Sequence, residues 1–186
     1  EFYQLDMEMA FATQEDVFAV LEDVLPPIFA KFGTYDVASA APFRRIPYNT
    51  ALETYGSDKP DLRIDLTCKN VSRLFENSEF EPLRGQTVKM VDISDCTLTR
   101  KQVEKLLSDC EVQSGSKPYW FKMDEKGELS GGIAKFLGEK KDALTERLGL
   151  QPNTFVGLTY GKKTAAQKTA GVLRSKLGAL CPNHMD

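Results

Sequence analysis

The chain has 186 residues, of which 41% are hydrophobic and 27% are charged, and its formal net charge is −3. This composition is typical of a globular chain of one or two domains, and no apolar run approaches the roughly 18 residues that a membrane-spanning helix needs. Residues 1–63 carry a net charge of −6 and residues 64–186 a net charge of +3, which indicates two units of different character.

The first eleven residues read EFYQLDMEMAF, in which polar and apolar residues alternate. Large apolar side chains recur at every second position, with Gln4, Asp6 and Glu8 between them. Period-two alternation predicts a β-strand with one apolar face and one polar face. A strand is not stable alone, so we expect its partners to lie in sequence outside this chain.

A capping box and two prolines define the next predicted helix. Thr13 and Asp16 are spaced to cap the helix reciprocally, and apolar residues then recur at helical spacing. Pro26 and Pro27 are expected to break or kink this helix, because proline removes a backbone donor and restricts the preceding residue. A second short helix is predicted to continue from there to Gly33.

The stretch that follows is predicted to end in a domain boundary. Residues 34–47 look irregular or extended, and a short helix is predicted at 49–55. The sequence at 56–63 is rich in turn-forming residues, and we place the boundary there. One unit would therefore end at residue 63, and the next would run from residue 64 to about residue 178.

The second predicted unit carries the signals of a small α+β domain. Thr99 with Gln102, and Thr164 with Gln167, form two further potential capping boxes before helical patterns. The element order β-α-β-β-α-β-α indicates a small sheet with helices packed on one face. The predicted elements are strands at 64–68, 88–93, 118–123 and 154–160, an extended segment toward Leu137, and helices near 70–76, after Thr99, at 139–148 and from Thr164 to Gly178.

Cysteine and histidine do not form a metal-binding motif in this sequence. No two cysteines have CxxC spacing, and the single histidine, His184, is far from three of them. Scattered thiols suit a reducing cytosol, so we expect four unpaired, small, buried hydrophobic residues and no metal site. His184 is expected to be exposed and inert. The cysteines are Cys68, Cys96, Cys110 and Cys181.

The polar face of the first predicted strand is the main candidate for chemistry. Gln4, Asp6 and Glu8 would stand in a row, roughly 6.5–7 Å apart. An amide beside two carboxylates could contact an adenine edge, bind a substrate ammonium group or position a cation. The same spacing fits the water-facing side of an antiparallel sheet, so both interpretations stay open on spacing alone.

Specific sequence motifs favour the functional interpretation. EFYQLDMEMAF closely resembles the second half of motif 2 of class II aminoacyl-tRNA synthetases, in the form used by bacterial-type aspartyl-tRNA synthetases. YGSDKPDLR at 55–63 looks like the signature that precedes the insertion domain of that family. Further similar words are LTRK at 98–101, IAKFL at 133–137 and LRSKLG at 173–178.

The resemblance implies a piece of catalytic domain followed by an inserted domain. Residues 1–63 would be a strand and helices from the antiparallel catalytic domain, and residues 64–178 would be the GAD insertion domain. Residues 179–186 would return toward the catalytic domain. Motif 1, the arginine half of motif 2, motif 3 and the anticodon-binding domain are absent from this sequence, so the polypeptide alone is expected to be inactive.

The resemblance also implies substrates and residue roles. Gln4 would contact ATP or the adenylate, and Asp6 would hold the ammonium group of aspartate. Glu8 would contact the residues that bind the substrates and not the substrates themselves. The whole enzyme, a cytoplasmic homodimer, would use ATP and Mg²⁺ to activate aspartate and transfer it to tRNA. None of these ligands is expected to stay bound to this polypeptide alone. Whether the enzyme also charges tRNA for asparagine stays open.

Two non-catalytic functions also stay open. The chain could serve as a GAD-type module that contributes to tRNA placement or domain contacts. It could also be the GAD domain of an amidotransferase B subunit, although the motif 2 strand argues against that function.

A basic stretch near the end of the second unit is a candidate tRNA-facing surface. Residues 161–178 contain five basic residues and no acid. A tRNA backbone could use them, whereas a solvated helix face would show the same pattern. The five are Lys162, Lys163, Lys168, Arg174 and Lys176.

Overall fold

The computed structural model describes residues 1–34, 40–181 and 184, so the segment predicted to be irregular, 34–47, lies partly outside the described residues. The chain divides into two compact units, residues 1–46 and residues 47–186. Among the described residues, no helix combines the length and the apolar character that crossing a membrane requires.

The first unit contains one long helix, α1 (Gln14–Phe32). The predicted capping box is confirmed: the amide of Asp16 donates to Thr13 Oγ1 at 3.4 Å, and the amide of Thr13 donates to Asp16 Oδ2 at 2.7 Å. The predicted break at Pro26 and Pro27 is wrong, because one helix continues through both. No residue of α1 is buried, so water can bond to the carbonyls that the prolines leave without a helical donor.

Residues 1–9 form no strand, so the β-strand predicted at 1–11 is wrong for this structure. Tyr3 is 99% exposed and Phe11 is 106% exposed, and these values show that the apolar side of the segment packs on no sheet. Alternation creates two faces, but a strand also needs a neighbour to accept and donate its backbone hydrogen bonds.

We predict weak amide protection for residues 3–11 in the dilute, monomeric polypeptide. These amides have no ladder partner, so they should exchange at least roughly a thousandfold faster than amides of 154–160 in the second unit. Hydrogen exchange followed by mass spectrometry checks this, at several protein concentrations because exposed apolar residues favour self-pairing. Equal protection of the two segments in the monomer would contradict it.

The second unit is built on a five-stranded antiparallel sheet in the order β1-β2-β5-β3-β4. The α+β fold class is therefore confirmed. β5 lies at the centre and pairs along its full length with β2, from Thr154 opposite Ser94 to Gly161 opposite Thr87. The strands are β1 (Lys69–Asn70), β2 (Thr87–Ser94), β3 (Tyr119–Met123), β4 (Leu129–Ser130) and β5 (Thr154–Gly161).

Three helices belong to this unit: α2 (Tyr48–Tyr55), α3 (Arg100–Ser114) and α4 (Lys163–Leu180). One face of the sheet packs with α3 and α4 around a core that contains Val91 and Phe155. The other face packs with short 3-10 segments and loops around a core that contains Met90 and Val156. Neighbouring strand residues point to opposite faces, so most residues of β2 and β5 are buried on one side of the sheet or the other.

The predicted strand at 64–68 is wrong: Ile64 forms only an isolated β-bridge, and β1 begins after the predicted range, at Lys69. The carbonyls of Ile64 and Leu66 instead accept hydrogen bonds from Arg174 of α4, at 2.5 Å each. A side chain thus occupies the acceptors that a strand neighbour would need.

Other short elements also differ from the predictions. The helix near 70–76 is a 3-10 turn at Ser72–Phe75, and the segment toward Leu137 contains only β4 and a 3-10 turn. The helix predicted at 139–148 forms and ends before Gly149, whose φ is 63°, but its hydrogen bonding is irregular: a 3-10 turn, Gly138–Lys140, is followed by a π-helical turn, Ala143–Arg147. There the hydroxyl of Thr145 bonds back to the Lys141 carbonyl at 3.0 Å, which competes with regular helical bonding.

The two capping boxes predicted in this unit have opposite outcomes. Thr99 and Gln102 cap α3 as predicted. Thr164 and Gln167 do not cap α4, which begins at Lys163 and has no side-chain cap. The Gln167 amide donates instead to the carboxylate of Glu53 at 2.8 Å, and this tertiary contact replaces the local one.

Two of the cysteine predictions are confirmed and two are wrong. Cys68 and Cys110 are unpaired and buried, and burial raises the pKa of each thiol to about 11. Cys96 and Cys181 are paired in a disulfide, although 85 positions separate them. The fold brings the two ends of this sequence interval together, which spacing alone cannot reveal.

The prediction of an inert His184 is also wrong. Its Nδ1 lies 2.9 Å from Asp65 Oδ1, and its Nε2 lies 3.1 Å from the carbonyl oxygen of Ser94. The amide of Asp65 also donates to the His184 carbonyl at 3.2 Å. His184 therefore bonds to two segments that are far apart in the sequence.

The second unit begins at Pro47, earlier than the boundary predicted at 63. The cause is a close contact between the end of α2 and α4. Gly56 has a φ of 69°, and a Cβ on Gly171 would collide with the carbonyl oxygen of Gly56. Only glycines allow the two backbones to meet this closely, so residues 47–63 pack within the second unit.

Candidate functional site

Gln4 and Asp6 lie side by side in the first unit. The side-chain amide of Gln4 donates to Asp6 Oδ1 at 2.6 Å. Both residues are exposed, as is Glu8. The hydrogen bond shows that residues two positions apart point to the same side even without a sheet, so these two polar groups already form a pair.

A groove of about 740 Å³ lies between this segment and α1. Asp6 and Glu8 contribute carboxylates, and Val17, Val20 and Leu21 of α1 supply apolar surface. Met7 and Met9 also line it, and they are 52% and 45% exposed, less than the 99% of Tyr3. Carboxylates beside an apolar wall suit a small organic cation such as an ammonium group.

The same groove suits nucleotide phosphates poorly. Its lining contains two carboxylates and no lysine or arginine, so it would repel a triphosphate. The described residues also contain no group of three or more His, Cys, Asp or Glu side chains placed to hold a metal ion. These residues therefore fit an ammonium group and, at Gln4, a single amide contact, but they do not fit Mg²⁺.

Arg174 is not tRNA-facing, and this is a correction to the predicted basic surface. It is 1% exposed, and its guanidinium donates to the carbonyls of Leu66 (2.5 Å), Ile64 (2.5 Å) and Asp61 (2.9 Å). It also lies 4.9 Å from the ring centre of Tyr55. Burial lowers the pKa of this arginine, but its partners fix it in place as a structural cation.

The other four basic residues occupy different environments. Lys163 pairs with Glu53 at 2.7 Å, and Lys176 pairs with Asp109 at 3.7 Å. Lys162 and Lys168 are exposed. The structure thus reduces the predicted surface of five residues to an exposed pair near the start of α4, with Lys163 beside it.

Glu53 of α2 bonds to three side chains of α4 and β2, and the sequence did not predict this role. Its carboxylate bonds to Gln167 and Lys163 of α4 and to Lys89 of β2, and its carbonyl accepts from Lys89 at 2.9 Å. Lys89 is only 1% exposed. Lys89 between the apolar residues Val88 and Met90 was the available signal, because a buried ammonium group requires a partner.

We predict that Glu53→Gln lowers the free energy of unfolding by about 1–2 kcal/mol at neutral pH, a range that allows for the 35% exposure of its side chain. Hydrogen bonds from Lys163 and then Lys89 lower the pKa of Glu53 below its ordinary 4.5. A lowered folded-state pKa stabilises the fold above the unfolded pKa, and this contribution disappears as pH falls through the folded pKa.

Urea denaturation at pH 7 and pH 3 checks this prediction, because the loss should shrink at pH 3. Glu104→Gln is the matched control, since Glu104 forms only an exposed pair with Arg100 at 2.8 Å. An equal loss for both variants, or a loss independent of pH, would contradict it.

Comparison with known proteins identifies a family. Residues 1–166 match the family described as tRNA synthetases class II (D, K and N). The chain is 40% identical over 176 residues to an aspartate–tRNA ligase of Streptomyces coelicolor. It is 39% identical over 186 residues to an aspartate–tRNA(Asp/Asn) ligase of Zymomonas mobilis, and 37% identical over 185 residues to one of Rickettsia akari.

These similarities cover almost all of this chain but only part of each relative. The three alignments include 94%, 97% and 96% of this chain. They include 30%, 31% and 31% of the respective relatives, so the chain spans about a third of their length.

Proposed function

This chain belongs to the class II tRNA synthetases (D, K and N), and from that premise we propose that it is part of an enzyme that attaches aspartate to tRNA. The observation that carries the proposal is its 37–40% identity to enzymes named aspartate–tRNA ligases across nearly all its residues. Residues 64–178 would be the GAD insertion domain of that enzyme, which we expect to act in the cytoplasm as a homodimer.

Within this proposal, Asp6 binds the ammonium group of aspartate and Gln4 contacts ATP or the adenylate. The carboxylate-lined groove supports the role of Asp6, and the hydrogen bond between the two side chains places the Gln4 amide beside it. Glu8 would add negative charge next to the ammonium site. The aspartate carboxylate would attack the α-phosphate of ATP and release pyrophosphate, and the tRNA ribose would then displace AMP. Groups outside residues 1–186 would hold Mg²⁺ and the phosphates.

Amino-acid-dependent exchange of pyrophosphate into ATP tests the proposal in the longer enzyme. Aspartate should support exchange at a rate at least roughly a hundredfold above lysine or asparagine, the other amino acids of this family. The 186-residue polypeptide alone should give no exchange above background. Exchange driven best by lysine or asparagine would overturn the proposed substrate.

The exposed pair Lys162 and Lys168 favours a finer proposal, that the start of α4 contacts the tRNA backbone. In the longer enzyme, the double change to glutamate should weaken tRNA binding and flatten the dependence of log K on log salt, by about one for each phosphate that a lysine no longer neutralises. Lys163 is left unchanged because it pairs with Glu53.

Titrations at several salt concentrations measure the slope. The double change Lys117→Glu and Lys126→Glu, at other exposed sites of the same unit, is the control for the change in net charge. A slope equal to that of the unaltered enzyme would show that these lysines only face solvent.

A further inference from the structure

Cys96 and Cys181 differ in environment although they are partners. Cys96 follows β2 and is partly exposed, whereas Cys181 ends α4 and is only 4% exposed. Their Cα atoms are 5.9 Å apart, a separation at which a disulfide forms without moving the backbone. The Cys96 sulfur can therefore react with a reagent from solvent, and the buried Cys181 sulfur is close enough to react with Cys96 afterwards.

Cys96 lines a cleft of about 480 Å³ at one end of the sheet. This volume is in the range of small-molecule sites. Three carboxylates and one ammonium group line it, so its net charge is negative and favours neutral or cationic reagents over anionic ones. The charged lining residues are Asp95, Lys122, Asp124 and Glu125.

His184, three residues after Cys181, contacts two other segments of the fold. His184 bonds to Ser94, two residues before Cys96, and to Asp65. Asp65 lies between Ile64 and Leu66, whose carbonyls bind Arg174. Residues 61–66 are thus bonded both to Arg174 of α4 and to His184. The Cys96–Cys181 bond adds a covalent link between the end of α4 and the end of β2, and its loss removes that link.

We propose that Cys96 and Cys181 form a reversible thiol–disulfide site for small neutral or cationic disulfides, and that oxidation holds residues 64–66 and His184 in place. Disulfides in reducing compartments are usually redox-responsive rather than permanent. The Cys96 thiolate attacks one sulfur of the reagent RSSR, forms Cys96–S–SR and releases RS⁻. The Cys181 thiolate then attacks the Cys96 sulfur and releases the second RS⁻. The two cysteines lose two electrons to the reagent, and their protons pass to the two RS⁻ groups.

The test begins with the reduced 186-residue protein, treated separately with cystamine, a dication, and with oxidised glutathione, an anion. Both should produce a loss of two mass units and a Cys96–Cys181 cross-linked peptide. Cystamine should react on the order of tenfold faster at low salt, and high salt should reduce that difference. Hydrogen exchange at residues 64–66 and at His184 should slow after oxidation, and Tm should rise by roughly 5–10 °C.

Single-cysteine variants complete the test. Cys181→Ser should stop at the mixed disulfide on Cys96, and Cys96→Ser should not react. Cys68→Ser, at a buried unpaired thiol, should respond like the unaltered protein. If Cys96→Ser does not fold, alkylation of the reduced unaltered protein should label Cys96 before Cys181. Two thiols that stay reduced, a bond to Cys68 or Cys110, or a bond that leaves exchange unchanged would each overturn the proposal.

Discussion

Replacing Asp6 by alanine in the longer enzyme should raise KM for aspartate roughly 30- to 4,000-fold and change KM for ATP by less than about threefold. Removing one partner of a charge-assisted contact typically costs about 2–5 kcal/mol, and each 1.4 kcal/mol corresponds to a factor of ten. The expectation rests on the proposed ammonium site, in which Asp6 and Glu8 line a groove without basic residues.

Gln4→Ala should show the opposite pattern, because an amide offers both a donor and an acceptor to a nucleotide. We expect a roughly 5- to 50-fold increase in KM for ATP and little change for aspartate. Glu8→Gln serves as the control in the same segment, with a smaller effect on aspartate than Asp6→Ala. Steady-state pyrophosphate exchange measures both constants, and equal increases in both would contradict the division of roles.

Arg174→Met should destabilise the second unit by about 3–5 kcal/mol. The substitution keeps much of the apolar stem but leaves three carbonyls without their donor, those of Asp61, Ile64 and Leu66. Hydrogen bonds to a charged group contribute about 1.5–3 kcal/mol each, and buried acceptors without partners add a desolvation cost. Chemical denaturation of the 186-residue polypeptide measures this loss.

Lys168→Met is the control, since it removes an exposed charge from the same helix. It should change the unfolding free energy by no more than about 0.5 kcal/mol. Arg174→Lys should fall between the two, because one ammonium group cannot reach three carbonyls in the fixed geometry of a guanidinium. If Arg174→Met lowered the free energy of unfolding no more than Lys168→Met does, the structural role of this arginine would be disproved.

The sequence predicted those parts of the fold that depend on local patterns. Two capping boxes, at Thr13 and Thr99, were predicted from residues three positions apart. Two strands, β2 and β5, were predicted from runs of neighbouring residues. The strand at 1–11 and the cap at Thr164 failed because their outcomes depend on partners far away in sequence. A strand forms only beside a neighbouring strand. The Gln167 side chain bonds to Glu53 of α2 and therefore does not cap the start of its own helix.

The candidate site divides in the same way. The shared orientation of Gln4 and Asp6 follows from the two-residue period and could be predicted. The burial of Arg174 could not, because it depends on carbonyls more than a hundred residues earlier in the chain. A run of basic residues on a helix does not reveal which of them points inward, and here the arginine does so while Lys162 and Lys168 do not.

The most direct test of the proposed function is to identify the amino acid that the longer enzyme esterifies to tRNA. Purified enzyme, unfractionated tRNA, ATP, Mg²⁺ and an equimolar mixture of aspartate, lysine and asparagine would be incubated, and the amino acid released by mild base would be measured by mass spectrometry. We predict aspartate, with lysine and asparagine at background. Release of lysine or asparagine in place of aspartate would contradict the assignment.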